Sequence, residues 1–565
     1  MRHLRWQALI AVLGLLLAMG LLAGQTRVVS VTEVPVPGTG TYAEALVGAP
    51  RTLNPLLDSQ NPVDRDLDRL LFSGLIRFDT QGRPVEDLAN WFIAPDQLTY
   101  TFILKPNLTW HDGEPLTAED VAFTVGLLQN PDFPGPQDLK QLWQSVTVAV
   151  TGTQTIAFTL PEPFAPFLDF ADFGVLPRHL LSGVTAAQLP QAAFNVQPVG
   201  SGPFAFAGWQ AEAGRVTGVV LKAFDRYHGA RPILGQLEFR FYPSGAAALA
   251  AYEAGEVQGL GQVSGAQVAP AMRLPDLRLY TTIAPGYTLI FLNLRDETLP
   301  FFKDKKVRQA LSLALNRPAM VSDILAGQAV AANSPIVPGS WAYNAGLPAA
   351  RFDPQQAAEL LDSAGWLLPP DALPGTADYV RQKDGVPLAF SLVAPDTTAH
   401  QAVARQAQAN WAALGVQVTL TPAEPAALRS QFLEPRAFQA LLADFSLAGT
   451  PDPDPYPLWH QTQVESGQNY SGWDDRIASQ FLEQARITAD IGQRARLYQS
   501  FQSRFADQTP ALLLYYPVYN YAVDAKVGGV RLGPLTEPSD RFATITEWSV
   551  VTRRLVIEQA TPTPQ

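Results

Sequence analysis

The stretch from Tyr100 to Phe123 constrains this chain more than any other, because three kinds of local structure follow one another in it without a gap. Tyr100, Phe102 and Leu104 alternate with Thr101, Ile103 and Lys105, the period of a largely buried strand. His111-Asp112-Gly113 makes a turn, in which Asp tolerates the bend and Gly supplies positive φ. Thr117 caps a helix, and Asp120, three residues on, completes a box-like start. Val121, Val125 and Leu128 mark one face of that helix. Elsewhere too, strands and helices interleave, which favours α/β lobes over an all-β sandwich.

A chain of 565 residues can bury a large core and is expected to divide into more than one domain. With 47% hydrophobic and 16% charged residues it is globular rather than disordered. A net charge of −12 speaks against a nucleic-acid partner, which needs a basic face. That charge suits a cationic ligand, or simply an acidic soluble surface. There is no cysteine, so disulfides, thiol catalysis and Cys-ligated metals are excluded. No repeat of fixed period occurs.

Arg2, His3 and Arg5 precede an uncharged run from Gln7 to Gln25, an export signal by pattern. The run is long for a cleaved signal and at the short end for a spanning helix. An uncleaved membrane anchor and a cleaved secretory peptide both stay open; in either case the basic end lies inside and the rest of the chain outside. Residues 26–40, rich in Val, Thr, Pro and Gly, read as a stalk, and the tail ending in Pro564-Gln565 reads as disordered.

Catalytic signatures are missing. No serine sits in a Gly-x-Ser-x-Gly elbow, which leaves a secreted hydrolase without its nucleophile. No Gly-Lys pair exists to build a phosphate loop, so an ATPase would sit on other subunits. The six histidines, His3, His111, His179, His228, His400 and His460, form no i,i+4 pair, and no metal or other cofactor is expected. His111 beside Asp112 reads as a turn hydrogen bond. Arg308 reads as one half of a structural salt bridge.

Further segments extend the pattern. Gly48 to Pro55 ends in Leu53-Asn54-Pro55; Leu71-Phe72-Ser73-Gly74-Leu75 follows; Gly200-Ser201-Gly202-Pro203-Phe204 needs glycine for a tight backbone path. Ser244 starts an Ala-rich helix that ends near Gly255. Asp304 to Arg317 is amphipathic through Val307, Ala310, Leu311, Ala314 and Leu315. Asp353 and Pro354 open a helix that Gly365 closes. Together with the Leu116–Val121 helix start, these segments resemble the large solute-binding proteins of ABC importers, the oligopeptide/dipeptide/nickel-binding family (family 5). The resemblance covers Tyr42 to Arg541. Ser73 departs from the family's usual acid, His228 stands where Trp is usual, and Gln25 replaces the lipid-anchor Cys after Leu22-Ala23-Gly24.

The resemblance implies a two-lobed periplasmic-binding-protein-like fold, type II and cluster C-like, with an extra domain inserted in the first lobe. Projected on this chain, the first lobe spans 41–83, 194–292 and 511–550, the insert 84–193, the second lobe 293–510 and the tail 551–565. It implies an extracytoplasmic protein that is not an enzyme. Such a protein holds di- or oligopeptides between its lobes and delivers them to a membrane permease and its ATPase subunits. The same scaffold could serve another solute, such as an oligosaccharide, a nickel chelate or an opine-like compound; a membrane-tethered sensor ectodomain is a further alternative.

The family's peptide binders hold the ligand's amino terminus with an Asp in the second lobe, and burying an ammonium requires such a partner. The resemblance points to Asp452 or Asp454, with Asp444 a third candidate. The other reading of Asp452-Pro453-Asp454-Pro455 is turn chemistry on a solvated loop. Tyr287 and Asn293 lie on a projected crossing strand, facing cleft or core. Asn54 lines the cleft or shapes its turn. Tyr470 and Trp473 stand where relatives have aromatic pocket walls, or belong to the core.

Overall fold

A computed structural model describes residues 6, 11–17, 19 and 29–558. Most of the export or anchor segment read over 1–25, and the tail beyond 558, lie outside the described residues. Among the described residues no helix is long and apolar enough to cross a membrane.

The opening segment folds as its pattern dictates. Thr99–Leu104 is a strand with Tyr100, Phe102 and Leu104 buried. Gly113 turns the chain at φ +100. Thr117 caps the helix Ala118–Gln129, donating its N–H to Asp120 Oδ2 at 2.9 Å, and Val121, Val125 and Leu128 are buried. The strand joins Ala89–Ile93, Thr155–Thr159 and Thr147–Gly152 in a four-stranded antiparallel sheet. That sheet shares one apolar core with Tyr42, Leu46, Leu221 and Phe239 of the main sheet.

Twelve strands form the main sheet, and one of them organises it. Ala511–Asp524 pairs at its start with Gly286–Leu292 and Ala329–Ala331, and at its end with Leu277–Ile283 and Gly259–Leu260. The start belongs to the half that continues through Ala440–Ser446, Ala389–Pro395 and Gln417–Ala423. The end belongs to the half that continues through Thr41–Val47, Gln236–Tyr242, Arg215–Ala223 and Phe204–Glu212. The backbone therefore crosses between two lobes at 283–286 and again at 515–518. Proline stands at both crossings (Pro285 and Pro517), and Ala284 N–H bonds Pro517 O at 2.8 Å.

Both faces of the second-lobe half are covered. All seven residues of Gly286–Leu292 are buried. Tyr287, Leu289 and Phe291 enter one core while Ile290 and Leu292 enter another, the two-residue period dividing one strand between two layers.

The helix read over Asp304–Arg317 ends earlier, at Leu313; a new helix begins at Arg317, capped by Asn316. Among the described residues Arg308 makes no carboxylate pair. Its guanidinium donates to the carbonyls of Phe302, Lys303, Gln508 and Thr509, closing the C-terminal end of the helix Ile491–Gln508. Val29–Pro35 from the stalk pairs antiparallel with Thr552–Glu558 from the tail in a separate ribbon.

Candidate functional site

A cavity of about 660 Å³ opens between the first lobe and the second. Its floor is the helix Pro62–Leu71, started by Asn61, whose side chain accepts from Val63 N–H at 3.0 Å, and by Pro62 at the first helical position. Behind the helix, His111 clamps the glycine turn. Its Nδ1 accepts from Gly200 N–H, which fixes Nε2 as the donor to Gly202 O, both at 3.1 Å. The turn presses so closely on the helix end that a Cβ on Gly200 would meet Leu71 O at 1.8 Å.

A second wall, Thr536 to Glu547, is held from beneath by Arg541. That guanidinium is 1% exposed and lies between Glu44 and Asp66, 2.8 and 2.6 Å away. Tyr42 and Tyr521 donate to the same Glu44 carboxylate at 2.8 and 2.7 Å. From the second lobe come Ala448, Gly449 and Pro451, with Gly449 N–H bonded to Thr536 O at 3.1 Å. Further bonds join the lobes: Trp341 N–H to Gln81 O at 3.0 Å, Asp452 N–H to Asp169 Oδ2 at 2.7 Å, and Ala489 N–H to Gln97 Oε1 at 3.0 Å.

The lining carries eight carboxyl groups against four Arg or Lys, so the cavity is acidic even though both charges are present. Among the described residues Arg69 pairs with Asp540 at 3.5 Å and Asp87 with His228 at 2.7 Å, while Arg65, Arg77 and Lys105 have no ion-pair partner. Burial raises Asp172 to about 7, Arg69 opposing the shift and Glu537 and Asp540 reinforcing it. Asp58 is likewise raised, first by burial and then by Glu537. A space of this size bearing both signs of charge can hold a zwitterion or an extended polar molecule.

None of the seven residues picked out from sequence lines this cavity. Asp452 is buried; its carboxylate accepts from Tyr498 OH at 2.9 Å and lies 3.0 Å from Arg494 Nη2. Burial lifts it to about 6 despite Arg494. Asp454 pairs with Arg486 at 2.7 Å and accepts from Tyr456 N–H, starting a short helix. Asp444 bonds Thr288 and His400. Tyr287 is in the core, stacked on Phe445. Asn293 donates to Phe438 O, and Asn54, fully buried, bonds Asn195 and Leu56 N–H. Tyr470 and Trp473 pack in the same core as Tyr287. The Asp-Pro segment is nonetheless adjacent to the site, since Pro451 enters the lining and Asp452 follows it.

The acidic floor escaped the sequence reading, yet a signal was present. Asp64 and Asp68 stand four apart in a helix that starts with Asn-Pro, and like charges at that spacing repel unless each has its own partner.

Comparison with known proteins places this geometry among relatives. A family model for bacterial extracellular solute-binding proteins, family 5 (middle), matches residues 83–468. The oligopeptide-binding protein AppA of Bacillus subtilis is 29% identical over 504 residues, covering 88% of this chain and 89% of that protein. The dipeptide-binding protein of Escherichia coli is 27% identical over 514 residues, covering 86% and 91%. The solved structure of Bacillus subtilis AppA in complex with a nonapeptide superposes with a TM-score of 0.65 at 28% identity, over 92% of this chain and 100% of that one.

Proposed function

Since the chain belongs to the bacterial extracellular solute-binding proteins, family 5, we propose that it captures peptides between its two lobes and delivers them to the permease of an ABC importer. The observation that carries the reading is the cavity of about 660 Å³ whose walls come from both lobes. A ligand there is enclosed only when the lobes meet, so binding and closure are one event. Closure swings the second lobe about the paired crossings at 283–286 and 515–518. It brings Gly449 N–H to Thr536 O and Trp341 N–H to Gln81 O.

Arg65, Arg77 and Lys105 supply positive charge for a peptide's carboxylate, and the acidic side supplies a place for its amine. Water and main-chain groups in a space of this size tolerate varied side chains. Asp452 and Asp454 act one step back: held by Arg494 and Arg486, they fix the path of Ala448–Pro451 at the cavity mouth. The closed face, joined from both lobes, is the surface a permease would read. The basic and apolar N-terminal segment exports the chain and tethers it outside the cytoplasm.

Denaturing the purified protein and identifying the released small molecules by mass spectrometry tests the reading. Co-purified peptides support it, and their lengths size the cavity. Released sugars or metal chelates would replace peptides as the ligand class.

A further inference from the structure

Beside the cavity the lobes meet through two carboxyl groups. Asp169, near the end of the short turn Ala165–Phe170 in the first lobe, accepts from Asp452 N–H at 2.7 Å. One oxygen of Asp452 accepts from Tyr498 OH at 2.9 Å. The other lies 3.0 Å from Arg494 Nη2 but takes no aligned hydrogen bond from it, and Arg494 Nε is likewise buried without a partner. A buried carboxylate oxygen left in that state calls for a reason.

The charges at this contact do not balance. Three carboxyls, Asp169, Asp452 and Asp454, face two guanidiniums, Arg486 and Arg494. Arg486 is committed to Asp454 at 2.7 Å, with its guanidinium carbon 3.7 Å from the centre of the Tyr456 ring and 5.6 Å from that of Phe164 in the first lobe. Asp169 and Asp452 are left to share Arg494, whose guanidinium lies over the Trp341 ring. The remaining neighbours bring no positive charge. Asp172, on the same segment as Asp169, adds a negative one, while Tyr498 and Tyr100, the latter bonded to Phe164 O, are neutral hydroxyls. One excess negative charge at a contact poor in water is removed by one proton.

We propose that closure of the lobes takes up one proton, held between Asp169 and Asp452, so that the protein grips its ligand more tightly in acid surroundings than at neutral pH. The inference goes beyond the peptide reading, for it rests on closure and not on which ligand the cavity holds. The proton comes from solvent as the lobes meet and returns to it as they part. In the open protein Asp169 faces water without Asp452 beside it and ionises near the ordinary aspartate value of about 4. In the closed protein burial, and then Asp452, raises Asp169 well above that value, and burial raises Asp452 to about 6. The closed form therefore binds more protons between about 4 and 6. Closure is free of the repulsion below that window and bears it in full above.

The test uses the full-length protein and a mixture of tri- to nonapeptides free of His, Asp and Glu, so that no ligand side chain titrates between about pH 5 and 7.5. The peptide retained best, identified by mass spectrometry, is titrated by calorimetry in pairs of buffers of different ionisation enthalpy. The native protein is expected to bind about fivefold more tightly near pH 5 than near pH 7.5, with net proton uptake midway. Asp169→Asn, which keeps an acceptor for Asp452 N–H, should bind at the higher pH as tightly as the native protein does at the lower, and should lose the uptake. Asp169→Ala, which keeps no acceptor, should lose the pH dependence without gaining the affinity. Carboxyls lining the cavity titrate as well, and the difference between the native protein and Asp169→Asn removes them.

Equal native affinity at the two pH values, or the same pH dependence in Asp169→Asn, overturns the inference and leaves the peptide reading standing. Retention of no peptide overturns the peptide reading, and small-angle scattering of the ligand-free protein then decides the inference. A native protein more compact at the lower pH, beside an Asp169→Asn protein equally compact at both, upholds it; equal native compactness at both overturns it.

Discussion

Arg541 holds the second cavity wall through charges sealed from water, with Glu44 and Asp66 on either side and the Phe542 ring 4.1 Å from its guanidinium carbon. Removing one partner of such a cluster leaves the others buried and uncompensated. Arg541→Met should cost about 3–5 kcal/mol in urea unfolding, and a loss within experimental error would mean that water reaches Glu44. His111 makes a second residue-scale prediction. Burial pushes its ring down to about 4, against weaker upward pulls from Gly202 O and Asp112. A neutral ring suits its role, because Nδ1 must accept from Gly200 N–H. The unfolded chain binds the proton more readily between about 4 and 6.5, so the ring's contribution is complete above 6.5. It is lost as pH falls through that window, up to about 3 kcal/mol. An NMR titration should give a midpoint near 4; a midpoint near the free value would remove the clamp. Sequence marked His111 as a hydrogen-bonding turn residue, but its partners are 89 and 91 positions away and left no local trace.

At the scale of elements, two glycines with opposite surroundings give a paired prediction. Gly126 is exposed in the helix Ala118–Gln129, with nothing within 4 Å of where its Cβ would stand. Gly126→Ala should stabilise by about 0.5–1 kcal/mol in thermal unfolding. Gly200→Ala drives a methyl into Leu71 O and should destabilise by several-fold more, roughly 3 kcal/mol. Comparable midpoints for the two variants would contradict the close approach. Elements whose cause lies within a few residues were legible: the strand–turn–helix from Tyr100, the Ser244 and Asp353 helices, and the apolar strand at Tyr287. The candidate site was less so. Asp452 and Asp454 stood out because carboxylates between prolines are conspicuous, but Arg486 and Arg494, which neutralise them, lie on the third and fourth helices downstream. Conversely, Asp68, Asp172 and Glu537 come from three distant segments, and only the closed chain makes them neighbours.

For the molecule as a whole, the lobes meet through an uneasy contact. Asp169 from the first lobe accepts Asp452 N–H, yet the two carboxylates face each other, and burial together with Asp452 raises Asp169 well above its ordinary value. Asp169→Asn keeps an oxygen acceptor and removes the repulsion. It should favour the closed arrangement and tighten ligand binding by about fivefold, the low end of coupling between distant sites. Calorimetry and small-angle scattering read the two effects, and unchanged affinity would show that closure does not depend on this contact. The long strand Ala511–Asp524 carries a different consequence, one of timing. A chain made amino end first delivers this strand after nearly everything else. Until it arrives, Gly286–Leu292 lacks a neighbour in one lobe and Leu277–Ile283 lacks its pairing partner in the other. Both halves are thus completed together by the same late segment.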